Sequence, residues 1–256
     1  MDQHSRSLSS QPSARGSELV ISSYDALATE YYNVERHPTC ANFREGSRLL
    51  LTDWLGPTDA DLAFCEIGAG KSLLAEIAGR TRSRLDKVFL VDSSQSMLAY
   101  SNEFATIGAQ LIFADASRIP LPSSSIDVVV SSLGDPYNIS SVWSEVRRLL
   151  RPRGRVFFTT PSYDWAAGFR TRQTADIHLA EFELSDGELV YVPSYVLPTS
   201  QQVEMMAGCG LAVERVVEVP VSALGRHTIS PKLLSSQGQF ASILTGYALT
   251  ASGWPH

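Results

Sequence analysis

The chain has 256 residues, with 44% hydrophobic and 19% charged residues. That is the balance of a globular protein and too apolar for a disordered one. A net charge of −6 gives little general attraction for nucleic acid, so such a partner would need a local basic patch. No apolar run approaches the roughly 20 residues of a membrane span.

Residues 1–19 are rich in Ser, Gln and Gly, lack the apolar core of a secretory signal, and are expected to form a disordered tail. A cytoplasmic location is expected. The three cysteines, Cys40, Cys65 and Cys209, are widely spaced and show no C-x-x-C pattern, so free thiols are expected.

Residues 24–55 carry two apolar clusters of helical spacing, split between Asn33 and Pro38. A regular alternation follows. Residues 61–68 form a short apolar run ending in glycine, as a buried parallel strand does. Residues 72–80 place Leu73, Leu74, Ile77 and Ala78 on one helical face. Residues 87–92 predict a second strand and 94–105 a helix capped by Ser93 or Ser94. Strands follow at 109–115 and 126–133, a helix at 141–150, and a fifth strand at 155–161 after the breaker RPRG. This order predicts a doubly wound, Rossmann-like, mostly parallel α/β sheet. Ligands on such sheets lie at the carboxyl ends of the strands, so strand-end residues should be the informative ones.

Beyond Pro161, residues 178–197 alternate around Asp186-Gly187, a hairpin signal. A glycine-closed helix (199–210) and strands at 211–220 and 240–251 complete the chain. The predicted organisation is a helical lid over 20–58, a ligand-binding core over 59–161, and a roof with the final strands over 162–256, all in one domain.

The stretch CEIGAGKS (65–72) tests three loops. A P-loop ending in Gly70-Lys71-Ser72 needs its first glycine where Cys65 stands. A dinucleotide fingerprint starting at Gly68 needs a third glycine where Leu73 stands. What remains is an acid, Glu66, followed by Gly68-Ala69-Gly70. This resembles the first motif of the class I S-adenosylmethionine-dependent methyltransferases.

Three further features follow in that family's order. Asp92 ends the second strand, and DSSQSML (92–98) resembles D-x-S-x-x-M-L. Asp115 ends the third strand in a segment similar to D-A-x-x-L-P-F-x-x-x-S-F-D. Residues 145–161 resemble the R-V-L-K-P-G-G stretch before strand five. The resemblance covers about residues 61–161. It implies a seven-strand sheet with a hairpin inserted after strand five, and S-adenosylmethionine as cofactor. It further implies cofactor contacts from Tyr24, Glu66, Gly68, Ala69, Gly70, Asp92, Ser93, Met97, Asp115, Ala116 and Ser132. In it the acids face the ammonium, the ribose hydroxyls and the adenine amino group, and Met97 packs on the ring. Taken singly, Glu66 and Asp92 are also helix caps, Asp115 is also a turn residue, Met97 suits a core and Lys71 a surface.

After strand four, Gly134-Asp135-Pro136-Tyr137 resembles the D-P-P-Y signature of amino-group methyltransferases with one proline missing. It implies acceptor contacts from Asp135 and Tyr137, with Asn138 beside them; the alternative is a plain turn. YDALATEY (24–31) resembles the lid segment of the family, with His37 and Arg44 further along it. His37 is the candidate base, His178 and His227 weaker ones. Tyr163, Asp164 and Trp165 are expected to line the acceptor pocket. The implied activity is methyl transfer to nitrogen or oxygen of a small molecule. The alternatives are methylation of a nucleobase in RNA or DNA, and a noncatalytic cofactor-binding partner subunit. Arginines in RRLLRPRGR (147–155) fit a helix end better than a nucleic-acid footprint. No metal is implied, nor a membrane, and the sequence leaves the oligomeric state open.

Overall fold

The computed structural model describes residues 24–56, 59, 61–170, 178–225, 228–237 and 242–252. The expected tail over 1–19 and His227 lie outside them.

The strands are β1 (Phe64–Ile67), β2 (Val88–Asp92), β3 (Gln110–Phe113), β4 (Ile126–Ser131), β5 (Leu150–Pro161), β6 (Leu179–Glu183), β7 (Leu189–Pro193), β8 (Leu211–Pro220) and β9 (Ser242–Ala251). Seven of them make one sheet in the order β3-β2-β1-β4-β5-β9-β8. Pairs among β1 to β5 are parallel, and β9 is antiparallel to both β5 and β8. The strand order reverses beside β1, which places the ligand crevice at the ends of β1, β2 and β4.

The sheet is covered on both faces, and its alternation shows it. Cys65, Val129 and Phe158 face one layer with Val142, Trp143 and Val146 of helix α6 (Ser140–Leu149). Their neighbours Phe64, Val128 and Phe157 face the other, with Leu73 and Leu74 of α3 (Leu73–Ala78) and Leu51 and Leu55 of α2 (Pro38–Leu55). Adjacent residues of one strand thus serve opposite cores, as the two-residue period requires.

Two expectations are corrected in detail. The helix expected over 94–105 is broken into α4 (Gln95–Leu98), a 3₁₀ turn (Ala99–Ser101) and α5 (Asn102–Ala105). Strand five starts at Leu150, because Leu150 already pairs with Ile126; RPRG is an excursion within it, with Arg153 at φ 64. Two arginines at this end are tied down: Arg148 donates to Glu145 and to the carbonyls of Ile119 and Leu121, and Arg151 meets Asp127 at 2.7 Å. As expected, β6 and β7 are the hairpin inserted after strand five, and they form a sheet of their own. Val190 and Val192 of this hairpin pack on Leu27 of the short helix α1 (Tyr24–Leu27), so the hairpin meets the lid. Helices α7 (Tyr163–Arg170), α8 (Thr199–Gly208) and α9 (Pro231–Gln237) complete the fold. Among the described residues no helix is long and apolar enough to cross a membrane. Cys40, Cys65 and Cys209 are free thiols.

Candidate active site

The glycine loop leaves β1 in a conformation that suits glycine: Gly68 has φ +67 and Gly70 φ +42. Space forbids a side chain as well. A Cβ on Gly68 would overlap the Tyr137 hydroxyl, and one on Gly70 the Tyr32 hydroxyl. Between them the Ala69 N–H donates to the Val91 carbonyl at 2.9 Å, drawing the loop toward β2.

Asp92 holds this loop and starts the next helix. Its Oδ2 accepts the Gly70 N–H at 2.9 Å, and its Oδ1 accepts the Ser94 N–H at 2.8 Å. Burial raises its pKa, against these donors. Ser94 caps α4 by accepting the Met97 N–H at 3.0 Å.

Glu66 is 1% exposed. It accepts from the Ser72 hydroxyl and from the Leu74 N–H at the start of α3, so it does cap that helix. Burial pushes its pKa up to about 7. Ser72 accepts the Ala75 N–H at 2.9 Å, which makes the GKS serine a helix cap. Lys71 is exposed at the cavity wall.

Asp115 also takes up its turn role. Its Oδ1 accepts the N–H and the hydroxyl of Ser117 at 2.7 and 2.6 Å, and these hold its pKa down.

These elements wall a cavity of about 730 Å³. All eleven residues expected around the cofactor line it: Tyr24, Glu66, Gly68, Ala69, Gly70, Asp92, Ser93, Met97, Asp115, Ala116 and Ser132. Ser132 is tied through Ser47 to Thr159, at 2.8 and 2.7 Å. The donor set fits the expected cofactor: carboxylates for a cationic, hydroxyl-bearing ligand, and Met97, Ala116 and Val142 as an apolar wall.

The lid is fastened on two sides. Toward the core, Asp25 accepts from the Ser94 hydroxyl at 2.7 Å, and the Tyr32 hydroxyl accepts the Lys71 N–H at 2.7 Å. Arg44 donates to the Lys71 carbonyl at 2.6 Å and pairs with Glu76 at 3.2 Å. Toward the hairpin, Glu30 accepts from Ser185, and Arg36 donates to the Leu184 carbonyl at 2.6 Å. Asp25, Tyr31, Tyr32 and Cys40 line the cavity and escaped the sequence reading. Tyr31-Tyr32, which close and follow the lid segment 24–31, carry the signal.

The three residues expected at the chemistry are not brought together. Tyr137 lines the large cavity, and its hydroxyl donates to the Ile67 carbonyl. Burial holds its pKa well above the usual phenol range, so it stays protonated. Asp135 lies instead on a second cavity of about 450 Å³, with its carboxylate accepting from the Ser194 hydroxyl. His37 lines both cavities. Its Nε2 is buried without a hydrogen-bond partner, and burial lowers its pKa from 6.5.

Several expected acceptor contacts are corrected. Asn138 lines neither cavity. It is buried and wired to Tyr195, Gln202 and Trp143, and so joins the strand-four turn to α8. Tyr163 packs in a core cluster and Asp164 is exposed; only Trp165 of that trio reaches a cavity, the second one. His178 is exposed beside Tyr195. Among the described residues no cluster of His, Cys, Asp or Glu could hold a metal ion.

Comparison with known proteins finds a matching domain and a shared fold. Residues 65–158 match the methyltransferase domain family. The chain is similar to the S-adenosylmethionine-dependent methyltransferase of Mesorhizobium loti (17% identity, TM-score 0.56, 80% of this chain and 97% of that one). It is also similar to the 1,6-didemethyltoxoflavin-N1-methyltransferase of Burkholderia thailandensis, solved with its substrate and S-adenosylhomocysteine (11%, TM-score 0.54, 89% and 86%). A curated relative, the biotin biosynthesis bifunctional protein BioHC of Cellvibrio japonicus, is 27% identical over 145 residues. Those residues are 55% of this chain, which spans 27% of that protein's length. The matched segment holds the glycine loop and the strand-end acids, and the fold is that of S-adenosylmethionine-dependent methyltransferases.

Proposed function

We infer that this methyltransferase acts on a nitrogen or oxygen of a small-molecule acceptor enclosed beneath the lid. The observation that carries the reading is the meeting of three strand-end carboxylates, Glu66, Asp92 and Asp115, on one cavity under a lid fastened on both sides.

S-adenosylmethionine, when bound, supplies a methyl group on a sulfonium. In this reading Asp92 accepts from the ribose hydroxyls while still holding Gly70 and Ser94. Glu66 lends negative charge to the amino-acid end through the loop it braces. Asp115 and Ala116 meet the adenine edge, with Met97 beneath it. Gly68, Ala69 and Gly70 let the backbone approach, and Tyr24, Ser93 and Ser132 close the walls. Tyr24, Tyr31 and Tyr32 exclude water, which strengthens each electrostatic contact inside. His37, on the walls of both cavities and favoured as a neutral imidazole by its burial, is the proton acceptor in this reading. Tyr137 and Asp135 orient the acceptor from the first and the second cavity respectively. The N1-methyltransferase with the same fold is named for transfer to nitrogen of a small molecule, an acceptor of the class inferred. Two of the five arginines of 147–155, Arg148 and Arg151, are bound to Glu145, Asp127 and loop carbonyls, which weighs against a nucleic-acid acceptor.

Calorimetry with S-adenosylhomocysteine tests the reading. Asp92→Asn keeps one acceptor oxygen and should weaken binding by about 10- to 100-fold, the range for a lost charge-assisted hydrogen bond. Absence of binding to the wild-type chain would reject the reading.

A further inference from the structure

The second cavity, about 450 Å³, is not needed to hold the cofactor, yet it adjoins the first. Tyr24, Tyr31, His37, Cys40 and Leu133 border both. Its volume lies within the range of small-ligand sites, roughly 300–1,000 Å³.

Two features define its chemistry. The first is aromatic: Tyr24, Tyr31, Phe43, Trp165 and Phe182 contribute to its walls. Phe43 and Trp165 stand edge to face at 4.8 Å, and Phe182 lies 6.0 Å from Tyr31 and 5.5 Å from His37. Rings so arranged favour a flat ligand through offset and edge contacts. The second is charge. Glu35, Asp135, Glu181 and Glu183 border the chamber against Arg36 and Lys232. Arg36 is engaged with hairpin carbonyls and lies 3.8 Å from Glu30. An anionic ligand would therefore meet an acidic surround. On the wall shared with the first cavity stand His37, whose Nε2 is sealed in the packing without a hydrogen-bond partner, and Cys40, whose thiol burial pushes up to about 12 and so keeps protonated. A ligand donor that reached this nitrogen would satisfy it.

We propose that this chamber is the acceptor site, and that it takes a flat aromatic molecule, uncharged or cationic, whose N–H or O–H faces His37. The proposal rests on the methyltransferase reading and deepens it. On transfer the acceptor's lone pair would form the new bond to the methyl carbon, the electron pair of the broken carbon–sulfur bond would stay on sulfur, and the acceptor's proton would go to the His37 imidazole and then to solvent.

Titration calorimetry on the full chain saturated with S-adenosylhomocysteine tests it. The probes are naphthol, indole and benzimidazole, with naphthoate and cyclohexanol as contrasts. At least one aromatic N–H or O–H probe should bind about tenfold or more tightly than naphthoate and cyclohexanol. Ala180→Trp, which fills the chamber from the hairpin, should weaken that probe by a similar factor. Phe182→Ala removes a wall and serves as the second variant if Ala180→Trp does not fold. In both, affinity for S-adenosylhomocysteine should stay within about twofold, since neither Ala180 nor Phe182 lines the first cavity. The proposal is overturned if no aromatic probe binds, if naphthoate binds best, if the probes compete with S-adenosylhomocysteine, or if a folded variant binds them as the wild type does. Failure of the cofactor reading is separate: S-adenosylhomocysteine would not bind, while the chain without it could still be titrated with the probes.

Discussion

Glu66→Gln should change how stability responds to pH. Glu66 is 1% exposed, and its carboxyl titrates near 7 in the fold against 4.5 in the unfolded chain. Burial is the main cause, offset in part by the Ser72 hydroxyl, Arg44 and the backbone of α3. The fold therefore prefers the protonated form. Below pH 4.5 both states are protonated, and the full native stability is present. Between 4.5 and 7 the unfolded chain releases the proton and the folded chain keeps it, so stability falls by about 1.4 kcal/mol for each pH unit. Across the window the loss is roughly 3 kcal/mol, and above it the loss is constant. Glutamine carries no titrating proton. Urea denaturation of both proteins from pH 4 to pH 8 should give curves whose separation shifts in favour of the variant by roughly 3 kcal/mol as pH rises. Curves that stay parallel would refute the claim that burial keeps this carboxyl protonated. A cationic ligand beside Glu66 favours the ionised form, so saturating S-adenosylmethionine should reduce the separation.

Gly68→Ala should lower the melting temperature by several degrees, since it forces a Cβ into φ +67 and against the Tyr137 hydroxyl; the expected loss is about 2 kcal/mol or more. Tyr137→Phe leaves the overlap with the ring and should not rescue it. His37 should titrate below 6.5 by NMR, because its burial outweighs the attraction of Glu30 and is reinforced by Arg36 and Lys232; a value above 6.5 would remove the argument for a neutral base. Asn138→Ala strands the Trp143 indole N–H and the Gln202 amide and should destabilise by about 1–3 kcal/mol in thermal melts, with S-adenosylhomocysteine affinity unchanged. If affinity fell in a folded variant, the wiring role assigned to Asn138 would be incomplete.

The sequence by itself determined the order of strands and helices and the acids at the strand ends. Both are local facts. A period of two, or an apolar run closed by glycine, says which way each residue faces, and Glu66, Asp92 and Asp115 inherit their places from that register. It offered helix capping and cavity lining as alternatives; in the fold Glu66 does both, because a carboxylate has acceptors enough, while the cap of α4 falls to Ser94. Only the tertiary structure separated Asp135 from Tyr137, two residues apart yet facing different cavities, and turned Asn138 inward to Gln202, 64 positions away. It alone joined the lid to the hairpin, where Glu30 meets Ser185 across 155 positions. Periodicity gives each residue a direction within its own element, but which partner waits there is decided by how the elements pack, and the second chamber exists only where lid, hairpin and α9 come together.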